Sequence, residues 1–520
     1  MNQTRRRLPA LLLIALLLPG AAALSAAIRL PSVIGDHMVV QRDKPVAVWG
    51  WAEPGESISV KLGSAATSVK AGLDGRFAAT LPALKAGGPF ELTVQGSKSP
   101  AVVVKDILAG EVWVCSGQSN MEWPLSSVYS PTPEVLRADQ PRLRLYSVPK
   151  RISAEPLDDI ETEWTLCTPA TAGPFSAIGY YYGLELLKTL DVPIGLIDSS
   201  WGGTDIEPWT PPAGFNAVPS VAPILAATER READYRAALA KTLPAWQSWL
   251  GEMKKALASG DPLPGKPVQP VHPFDSPQTP TGLYNGMIHA LVPFPIRGAI
   301  WYQGENNRND TLAYEKKMEA LILGWREVWK TPDLYFFYVQ LAPYYYAYNR
   351  DYAGGDVPDF LRLPLIWEAQ SNILRMPFTG MAVITDITEL MDIHPRNKRD
   401  VGYRLSLWAR AKAYGETGLV CSGPLYRSMT VEGGKARISF DSVGGGLTTN
   451  DGQAVKWFEI AGPDHIFYRA EAKIDGDTIV VSNPRVPAPQ AVRFGWHQMA
   501  VPNLANKQGL PASPFRTDRW

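Results

Sequence analysis

A serine and a histidine lie where two apolar runs of the sequence end. Ser119 follows the run at residues 111–115, within the segment Ser-Gly-Gln-Ser-Asn, and His394 follows the run at residues 381–385. Acyl transfer requires a hydroxyl nucleophile, an imidazole base, a carboxylate that orients the base and N–H donors for an oxyanion. The two residues therefore predict a serine hydrolase with Ser119 as the nucleophile and His394 as the general base.

Candidate oxyanion donors follow two further apolar runs. Gly202 and Gly203 come after the run at residues 194–198, and Gln303 and Asn306 come after the run at residues 299–302. A glycine lets a backbone N–H approach a ligand closely because it has no side chain. An amide from either Gln303 or Asn306 would add a side-chain donor, and one such donor typically contributes roughly 10²- to 10³-fold in rate.

Each of these motifs also has a purely structural interpretation. A Gly-Gln-Ser-Asn turn can be turn chemistry alone, and Glu305 can be a solvated carboxylate or an orienter of neighbouring amides. Of the six histidines, His272 lies in a proline-rich excursion and only His289 and His394 lie in the body of the predicted α/β region. His394, between a strand and a helix, fits the base better. No CxxC or HxxxH pattern predicts a metal site.

The elements that must position these residues form an α/β region with a parallel sheet. In such a sheet ligands bind outside the carboxyl ends of the strands, so the polar clusters that follow the strands should meet at one edge. Strands are predicted at residues 111–115, 144–148, 194–198, 299–302, 335–341 and 381–385, and helices at residues 177–188, 312–330 and 396–414.

The α/β region is flanked by two segments of short alternating stretches, which predict β-domains. We expect an N-terminal β-domain at residues 28–105, the α/β domain at residues 106–418 and a C-terminal β-domain at residues 419–520. Residues 218–265 predict a helical hairpin inserted into the α/β domain, which runs into a proline-rich excursion.

The N-terminus has the pattern of a secretory signal peptide. Three arginines at positions 5–7 precede an apolar run that is too short to span a membrane, and small residues follow up to position 27. No later segment is apolar enough to cross a bilayer. The mature protein is therefore expected to be secreted or periplasmic.

Composition and cysteine content narrow the function further. Lys+Arg and Asp+Glu both number 51, so no basic excess points to nucleic acid. The 17 Trp and 20 Tyr are expected mostly in cores, although aromatic rings also stack on sugars. Cys115 lies in an apolar run and should be a buried hydrophobe. The spacing of Cys167 and Cys421 neither favours nor excludes a disulfide bridge between them.

Seven blocks of the sequence, in order, resemble the sialate O-acetylesterase group of SGNH hydrolases, which is related to certain carbohydrate acetylesterases. They include Gly-Gln-Ser-Asn-Met-Glu-Trp, Trp-Gly-Gly-Thr, Trp-Tyr-Gln-Gly-Glu and Ile-His-Pro-Arg-Asn-Lys, and they lie at residues 36–42, 110–123, 201–204, 284–288, 301–305, 393–398 and 509–516. The resemblance implies an SGNH-type sheet, Ser119 as nucleophile and His394 as base. It also implies an oxyanion hole from a glycine of the second of the quoted motifs and an amide of residues 303–306, with no metal or organic cofactor.

The resemblance leaves the third member of the triad open. SGNH enzymes typically carry the carboxylate three residues before the histidine, and Met391 occupies that position. Asp392 lies two residues before the histidine, and we take it as the expected carboxylate. The alternatives are Asp386, Glu389 or a dyad in which a backbone carbonyl orients the ring.

The substrate implied by the resemblance is an O-acetylated sugar, with sialic acids preferred over xylan or another acetylated polysaccharide. We expect an acetyl-enzyme intermediate and substrate contacts from five residues, of which Arg308 would favour the carboxylate of a sialic acid. A non-catalytic carbohydrate-binding protein is the alternative from another class. The five residues are Gln118, Trp201, Asn285, Glu305 and Arg308.

Overall fold

The computed structural model describes residues 27–129, 131–346 and 357–520. The predicted signal peptide at residues 1–27 lies outside the described residues except for Ala27.

Strands dominate the N-terminal region, as the alternating pattern predicts. In β3 and β5 exposed and buried residues alternate, so each strand turns one face to the core. β6 pairs with β3 and with the first half of β7, and β2 pairs with β5, all antiparallel. The strands are β1 (Val39–Gln41), β2 (Val46–Trp51), β3 (Ser57–Leu62), β4 (Ala65–Lys70), β5 (Arg76–Leu81), β6 (Gly87–Gly96) and β7 (Val102–Gly117).

The 16-residue strand β7 belongs to two sheets. Residues 102–109 pair with β6, whereas residues 111–117 pair with the strand Ile194–Ser200 of the central sheet. The predicted boundary between residues 105 and 106 therefore falls inside a continuous strand. No linker separates the two regions at this point.

The central sheet is mainly parallel, with the order β13-β12-β11-β7-β10-β8-β9. Only β8 and β9 are antiparallel neighbours along this order. Each predicted strand of the α/β region overlaps an observed one, and the predicted fold class is confirmed. These strands are β8 (Gln140–Ser147), β9 (Trp164–Cys167), β10 (Ile194–Ser200), β11 (Gly298–Tyr302), β12 (Tyr335–Val339) and β13 (Thr379–Ala382).

Helices cover the sheet and connect its strands. The three predicted helices correspond to α4, α7 and α9, whereas α8, which contains Pro364, is not among them. The α-helices are α1 (Ser119–Glu122), α2 (Pro131–Leu136), α3 (Pro169–Ala172), α4 (Ala177–Leu190), α5 (Pro212–Ala217), α6 (Ala222–Ser259), α7 (Tyr314–Val328), α8 (Asp359–Asn372) and α9 (Lys398–Trp408).

The predicted helical hairpin is wrong, because the segment forms the single 38-residue helix α6. Pro244 lies inside this helix, although proline removes a backbone hydrogen bond and usually bends a helix. Only Thr228 and Ala256 of α6 are buried. The helix is mostly solvent-exposed, and its many Ala, Glu, Lys and Arg residues favour helical structure.

The C-terminal region consists of antiparallel strands. Its sheets have the orders β14-β15-β20-β19, β18-β17-β21-β23 and β16-β22. The strands are β14 (Leu425–Glu432), β15 (Lys435–Asp441), β16 (Leu447–Thr449), β17 (Phe458–Ala461), β18 (Phe467–Arg469), β19 (Glu471–Asp475), β20 (Thr478–Ser482), β21 (Ala491–Phe494), β22 (Leu504–Asn506) and β23 (Phe515–Arg516).

The three cysteines are free thiols. Cys115 is buried, as predicted, and Cys167 is also buried and does not pair with Cys421. Burial raises the pKa of Cys167 to about 12, so the thiol stays protonated and behaves as a small apolar group.

A buried carboxylate joins the N-terminal region to the central sheet. Glu111 in β7 is fully buried and accepts hydrogen bonds from Gln41 Nε2 at 2.9 Å, Arg42 Nε at 2.5 Å and Arg297 Nε at 2.9 Å. The Tyr414 hydroxyl donates a further bond at 3.1 Å. The two arginines supply the positive charge that a buried carboxylate needs.

Glu111→Gln should destabilise the protein by about 3–5 kcal/mol, because it leaves two partly buried guanidinium groups without their counter-charge. We expect a clearly lower midpoint in urea unfolding followed by tryptophan fluorescence. Glu471→Gln is the control, since Glu471 makes an exposed ion pair with Lys473 at 2.8 Å and its loss should leave the midpoint unchanged. Equal midpoints for the two variants would contradict the role of the buried cluster.

Candidate active site

The parallel register brings three loops to one edge of the sheet. Gly117 at the end of β7 is level with Ser200 of β10 and Tyr302 of β11. Gly117 has φ +137°, and a Cβ there would lie 2.1 Å from the Tyr302 carbonyl oxygen. Only glycine fits at this position, and the chain turns there directly into the segment that carries Ser119.

The structure places Ser119 and His394 in contact. Ser119 is the first residue of α1, and its Oγ lies 2.8 Å from His394 Nε2. The ring of Trp123, one turn further along the chain, stacks on His394 with centroids 4.9 Å apart and planes 22° apart. The contact allows the imidazole to take the hydroxyl proton, as a general base must.

The environment of His394 favours its neutral form. Burial lowers the pKa of the imidazole below its usual 6.5 and the charge of Lys398 lowers it further, whereas Asp392 raises it. A neutral imidazole is the form that can accept a proton.

Asp392 does not hydrogen-bond the imidazole in the way a triad carboxylate does. Its Oδ1 accepts the backbone N–H of His394 at 2.9 Å, but lies 3.9 Å from Nδ1 of the ring. The alternative carboxylates are engaged elsewhere, because Asp386 forms a bidentate pair with Arg404 and Glu389 accepts the hydroxyl of Tyr129. The expected triad is therefore a Ser–His pair with a carboxylate beside it.

Gly202 lies against the nucleophile. A Cβ at Gly202 would be 3.1 Å from Ser119 Cβ and 3.1 Å from Glu122 Oε2. The N–H of Gly202 donates to that oxygen at 2.6 Å, whereas the backbone N–H of Ser119 has no acceptor among the described residues. The N–H of Gly202, which the sequence predicts as an oxyanion donor, is therefore already bound to the carboxylate of Glu122. A Cβ at Gly203 would meet open space, so nothing packs against this glycine.

Both predicted amides are hydrogen-bonded within the protein. The Nε2 of Gln303 donates to Thr204 O at 3.0 Å and to Asn307 Oδ1 at 2.6 Å, so both of its protons are used, and its Oε1 accepts the Tyr314 hydroxyl at 2.8 Å. The fully buried amide of Gln303 holds loops together in this structure, and its part in an oxyanion hole stays a prediction. The exposed Asn306 donates to Asp205.

Three of the predicted substrate contacts are also engaged inside the protein. The buried Gln118 Oε1 accepts the N–H groups of Gly304 and Asn306. Asn285 Nδ2 donates to the carbonyls of residues 153 and 154. Arg308 is 1% exposed and pairs with Asp359 at 2.6 Å. In this structure the three side chains hold the loops around the site together, and their contact with a substrate stays a prediction.

Trp201 and Glu305 have different surroundings. The ring of Trp201 is partly exposed, and Lys150 Nζ lies 5.7 Å from its centroid. Glu305 is buried and accepts Asn120 Nδ2 at 2.6 Å, so it orients an amide instead of meeting solvent.

A buried lysine, which the sequence analysis did not assign, completes this cluster. Lys398 Nζ donates to Asn120 Oδ1, and Asn120 Nδ2 donates to Glu305 and, at 3.0 Å, to the carbonyl oxygen of Ile393 beside His394. Burial lowers the pKa of Lys398 to about 7, although Glu305 opposes the shift. The cluster links the nucleophile turn to the histidine loop. Its sequence signal was the Ile-His-Pro-Arg-Asn-Lys block.

Ser119 lines a cavity of about 420 Å³. Its walls include four polar residues that the sequence analysis did not single out, Glu122, Lys150, Asp198 and Ser200. Lys150 Nζ pairs with Glu122 Oε1, and burial raises the pKa of Asp198 to about 7. Asp198 and Ser200 lie at the carboxyl end of β10, so the strand-end rule alone would have located them.

Comparisons with known proteins show which family this chain resembles. Residues 275–356 match the family model described as carbohydrate esterase, sialic acid-specific acetylesterase. The chain is 33% identical over 437 residues to the sialate O-acetylesterase of Rattus norvegicus, which covers 76% of each protein. It is 32% identical over 437 residues to that of Homo sapiens, which covers 76% of this chain and 73% of the human protein.

A solved structure of a carbohydrate acetylesterase is also similar to this chain. The crystal structure of a carbohydrate acetylesterase from Xanthomonas citri is 40% identical, with a TM-score of 0.79 over 95% of this chain and 100% of that chain. The sheet, the Ser119–His394 contact and these similarities define an esterase. The chain belongs to the sialate O-acetylesterase family. The alternative of a non-catalytic carbohydrate-binding protein is therefore set aside.

Two variants near His394 should move the pH profile of kcat/KM in opposite directions. Lys398→Met removes a positive charge that lowers the pKa of His394, so the acidic limb should shift to higher pH. Asp392→Asn removes a negative charge that raises this pKa, so the limb should shift to lower pH. The profile is measured with p-nitrophenyl acetate.

The rate of Asp392→Asn distinguishes the observed geometry from a complete triad. Because the carboxylate makes no hydrogen bond to Nδ1, we expect a loss of about tenfold or less, against about 10⁴-fold where asparagine replaces a hydrogen-bonded triad aspartate. A loss of about 10⁴-fold, or limbs that shift in the same direction, would contradict this description.

Gly202→Ala should lower kcat about 100-fold, because the added methyl would press on Ser119 Cβ at 3.1 Å and displace the nucleophile. The control is Gly203→Asn. Gly203 has φ +71°, which asparagine tolerates, and no atom lies near its Cβ position. Near wild-type kcat is expected for the control, and near wild-type kcat for Gly202→Ala would count against the close packing at Ser119.

Proposed function

We propose that this protein is a serine esterase that removes O-acetyl groups from sugars, with sialic acids as the preferred substrate class. The observation that carries the proposal is the 2.8 Å contact between Ser119 Oγ and His394 Nε2. The relatives support the substrate class, since they are sialate O-acetylesterases and a carbohydrate acetylesterase.

In the proposed reaction, Ser119 Oγ attacks the acetyl carbonyl while His394 Nε2 takes its proton. The carbonyl oxygen becomes an oxyanion, which accepts the N–H of Ser119 and, after Glu122 withdraws, the N–H of Gly202. The sugar hydroxyl leaves with the proton from His394 and an acetyl-enzyme remains. Water then attacks the acetyl group with His394 again as base. The bond between the acetyl carbon and Ser119 Oγ breaks, His394 returns its proton to Oγ, and acetate leaves.

The charged residues that line the Ser119 cavity affect whether an acidic or a neutral sugar binds there. Lys150 is the cation of the lining, and a sialic acid carboxylate would bind there in place of Glu122. Glu122 and Asp198 are carboxyl groups of the same lining, and they favour a neutral sugar. An acetylated neutral polysaccharide such as xylan is therefore the second candidate.

The proposal places the enzyme outside the cytoplasm, secreted or periplasmic, on the basis of the signal-peptide pattern at residues 1–27. Within the described residues, no helix has the length and apolar character to cross a membrane. We propose a division into residues 28–105, 106–418 and 419–520, with the first two parts joined by β7. The balanced charge gives no support for a nucleic-acid partner.

Acetate release from O-acetylated sialosides, acetylated xylo-oligosaccharides and acetylated pectin tests the substrate. We expect the highest kcat/KM on the sialosides, because Lys150 offers a partner for their carboxylate. Turnover of xylo-oligosaccharides alone would overturn the sialate assignment and leave the esterase chemistry standing.

Ser119→Ala is the control for the chemistry. It should lower the rate on every substrate by about 10³-fold or more, because the covalent route needs the hydroxyl. Unchanged turnover of p-nitrophenyl acetate by this variant would overturn the assignment of the nucleophile.

A further inference from the structure

A second cavity, of about 630 Å³, lies between the start of α8 and the C-terminal sheet β18-β17-β21-β23. Its volume is in the range of small-molecule binding sites. The residues of the Ser119 cavity do not line it. It is thus a separate site, to which the esterase mechanism assigns no role.

One wall of this cavity is a row of near-parallel rings. Phe360 stacks on His497 with centroids 5.5 Å apart and planes 21° apart, and Trp457 stacks on the same histidine at 6.3 Å and 24°. Phe360 is 44% exposed and Trp457 is 39% exposed. Two large apolar rings left open to solvent in one cavity mark a binding surface.

The sheet supplies polar groups to the same cavity. Glu459 of β17 lies in register with Arg469 of β18 and Arg493 of β21, so the three side chains share one face of the sheet. Arg493 pairs with Asp518 at 2.8 Å, whereas the guanidinium of Arg469 has no hydrogen bond or ion pair among the described residues. Burial raises the pKa of Glu459. The face offers donors and an acceptor beside flat rings.

Sugars match this combination. A pyranose ring carries C–H groups on its faces, which pack on an aromatic ring, and hydroxyls on its edge, which need donors and acceptors together. We propose that this cavity binds a sugar unit of a glycan chain, with its face on Trp457 and its edge on Arg469 and Glu459. The unpaired guanidinium gives acidic sugars an advantage, because it can bind a carboxylate through two parallel hydrogen bonds.

Main-chain hydrogen bonds connect this cavity to the histidine loop. The N–H of Gln498 donates to Phe360 O, and Gln498 O accepts the N–H of Tyr344 at 3.0 Å. The N–H of Tyr345 donates to Leu390 O at 2.9 Å, four residues before His394. A glycan held on Trp457 would therefore be connected through main-chain hydrogen bonds to the loop that carries the catalytic base. This consequence rests on the proposed function, whereas binding of the glycan does not.

The test measures binding with probes that carry no acetyl group, so it does not depend on esterase activity. Xylohexaose, trigalacturonic acid and 3′-sialyllactose are titrated into the protein by isothermal calorimetry. We expect at least one probe to bind, and Trp457→Ala to weaken its binding about tenfold or more through loss of the stacking surface. Trp457→Phe should keep most of the affinity, and Arg469→Ala should weaken the acidic probes more than xylohexaose.

Trp520→Ala is the matched control. Trp520 is also an exposed C-terminal tryptophan, 48% exposed and stacked on His465 at 3.9 Å, but it does not line the cavity. This variant should bind like the wild type, and all variants should keep p-nitrophenyl acetate turnover within about twofold.

Three results would overturn the proposal. They are the absence of binding of all probes to the wild type, equal weakening by Trp457→Ala and Trp520→Ala, and parallel loss of binding and p-nitrophenyl acetate turnover in both Trp457 variants. If the glycan site stands and the proposed function fails, Trp457→Ala weakens binding while acetate release is absent from every variant. The two failures are therefore distinguishable.

Discussion

The hydrogen-bond ladder that holds β10 and β11 on either side of β7 sets the positions of the reactive groups. Gly117, Ser200 and Tyr302 end at one level, so the loops that follow them converge on Ser119. The other half of β7 is held in the N-terminal sheet by β6. A slip of one residue would break the register in two sheets and turn the side chains of β7 to the opposite face. The N-terminal strands thus contribute to the precision of a site that they do not line.

The ring of Trp123 and the contact with Ser119 position His394 more than a carboxylate does. Trp123 packs flat on His394, and an aromatic pair of this kind contributes about 0.5–1.5 kcal/mol beyond the area it buries. Asp392 instead orders the backbone at His394. Lys398 lies buried near the imidazole and disfavours its charged form. The arrangement keeps the base unprotonated at neutral pH, although a base of low pKa is also a weaker proton acceptor.

Local sequence signals predicted the strands and the Ser119–His394 pair, because apolar runs and the polar residues after them are readable without a fold. The sequence did not predict that α6 is one continuous helix or that α8 exists, since each contains a proline that ordinarily ends a helix. The hydrogen bond from Gln303 to Thr204 was not predicted, because Thr204 lies 99 positions away along the chain. The role of Lys398 was missed for the same reason: its burial depends on residues about 90 or more positions away along the chain, and no local pattern records such contacts.

The hydrogen bond from Gly202 to Glu122 has a consequence for the last step of catalysis. Glu122 presents a carboxylate to the donor that the acetate product would use, and this carboxylate is tethered to the chain three residues from Ser119. Free acetate must compete with a group whose effective concentration is set by that short tether, which is in the millimolar range or above for short flexible links. The protein therefore carries an internal carboxylate at this donor, which the oxyanion and acetate alike must displace.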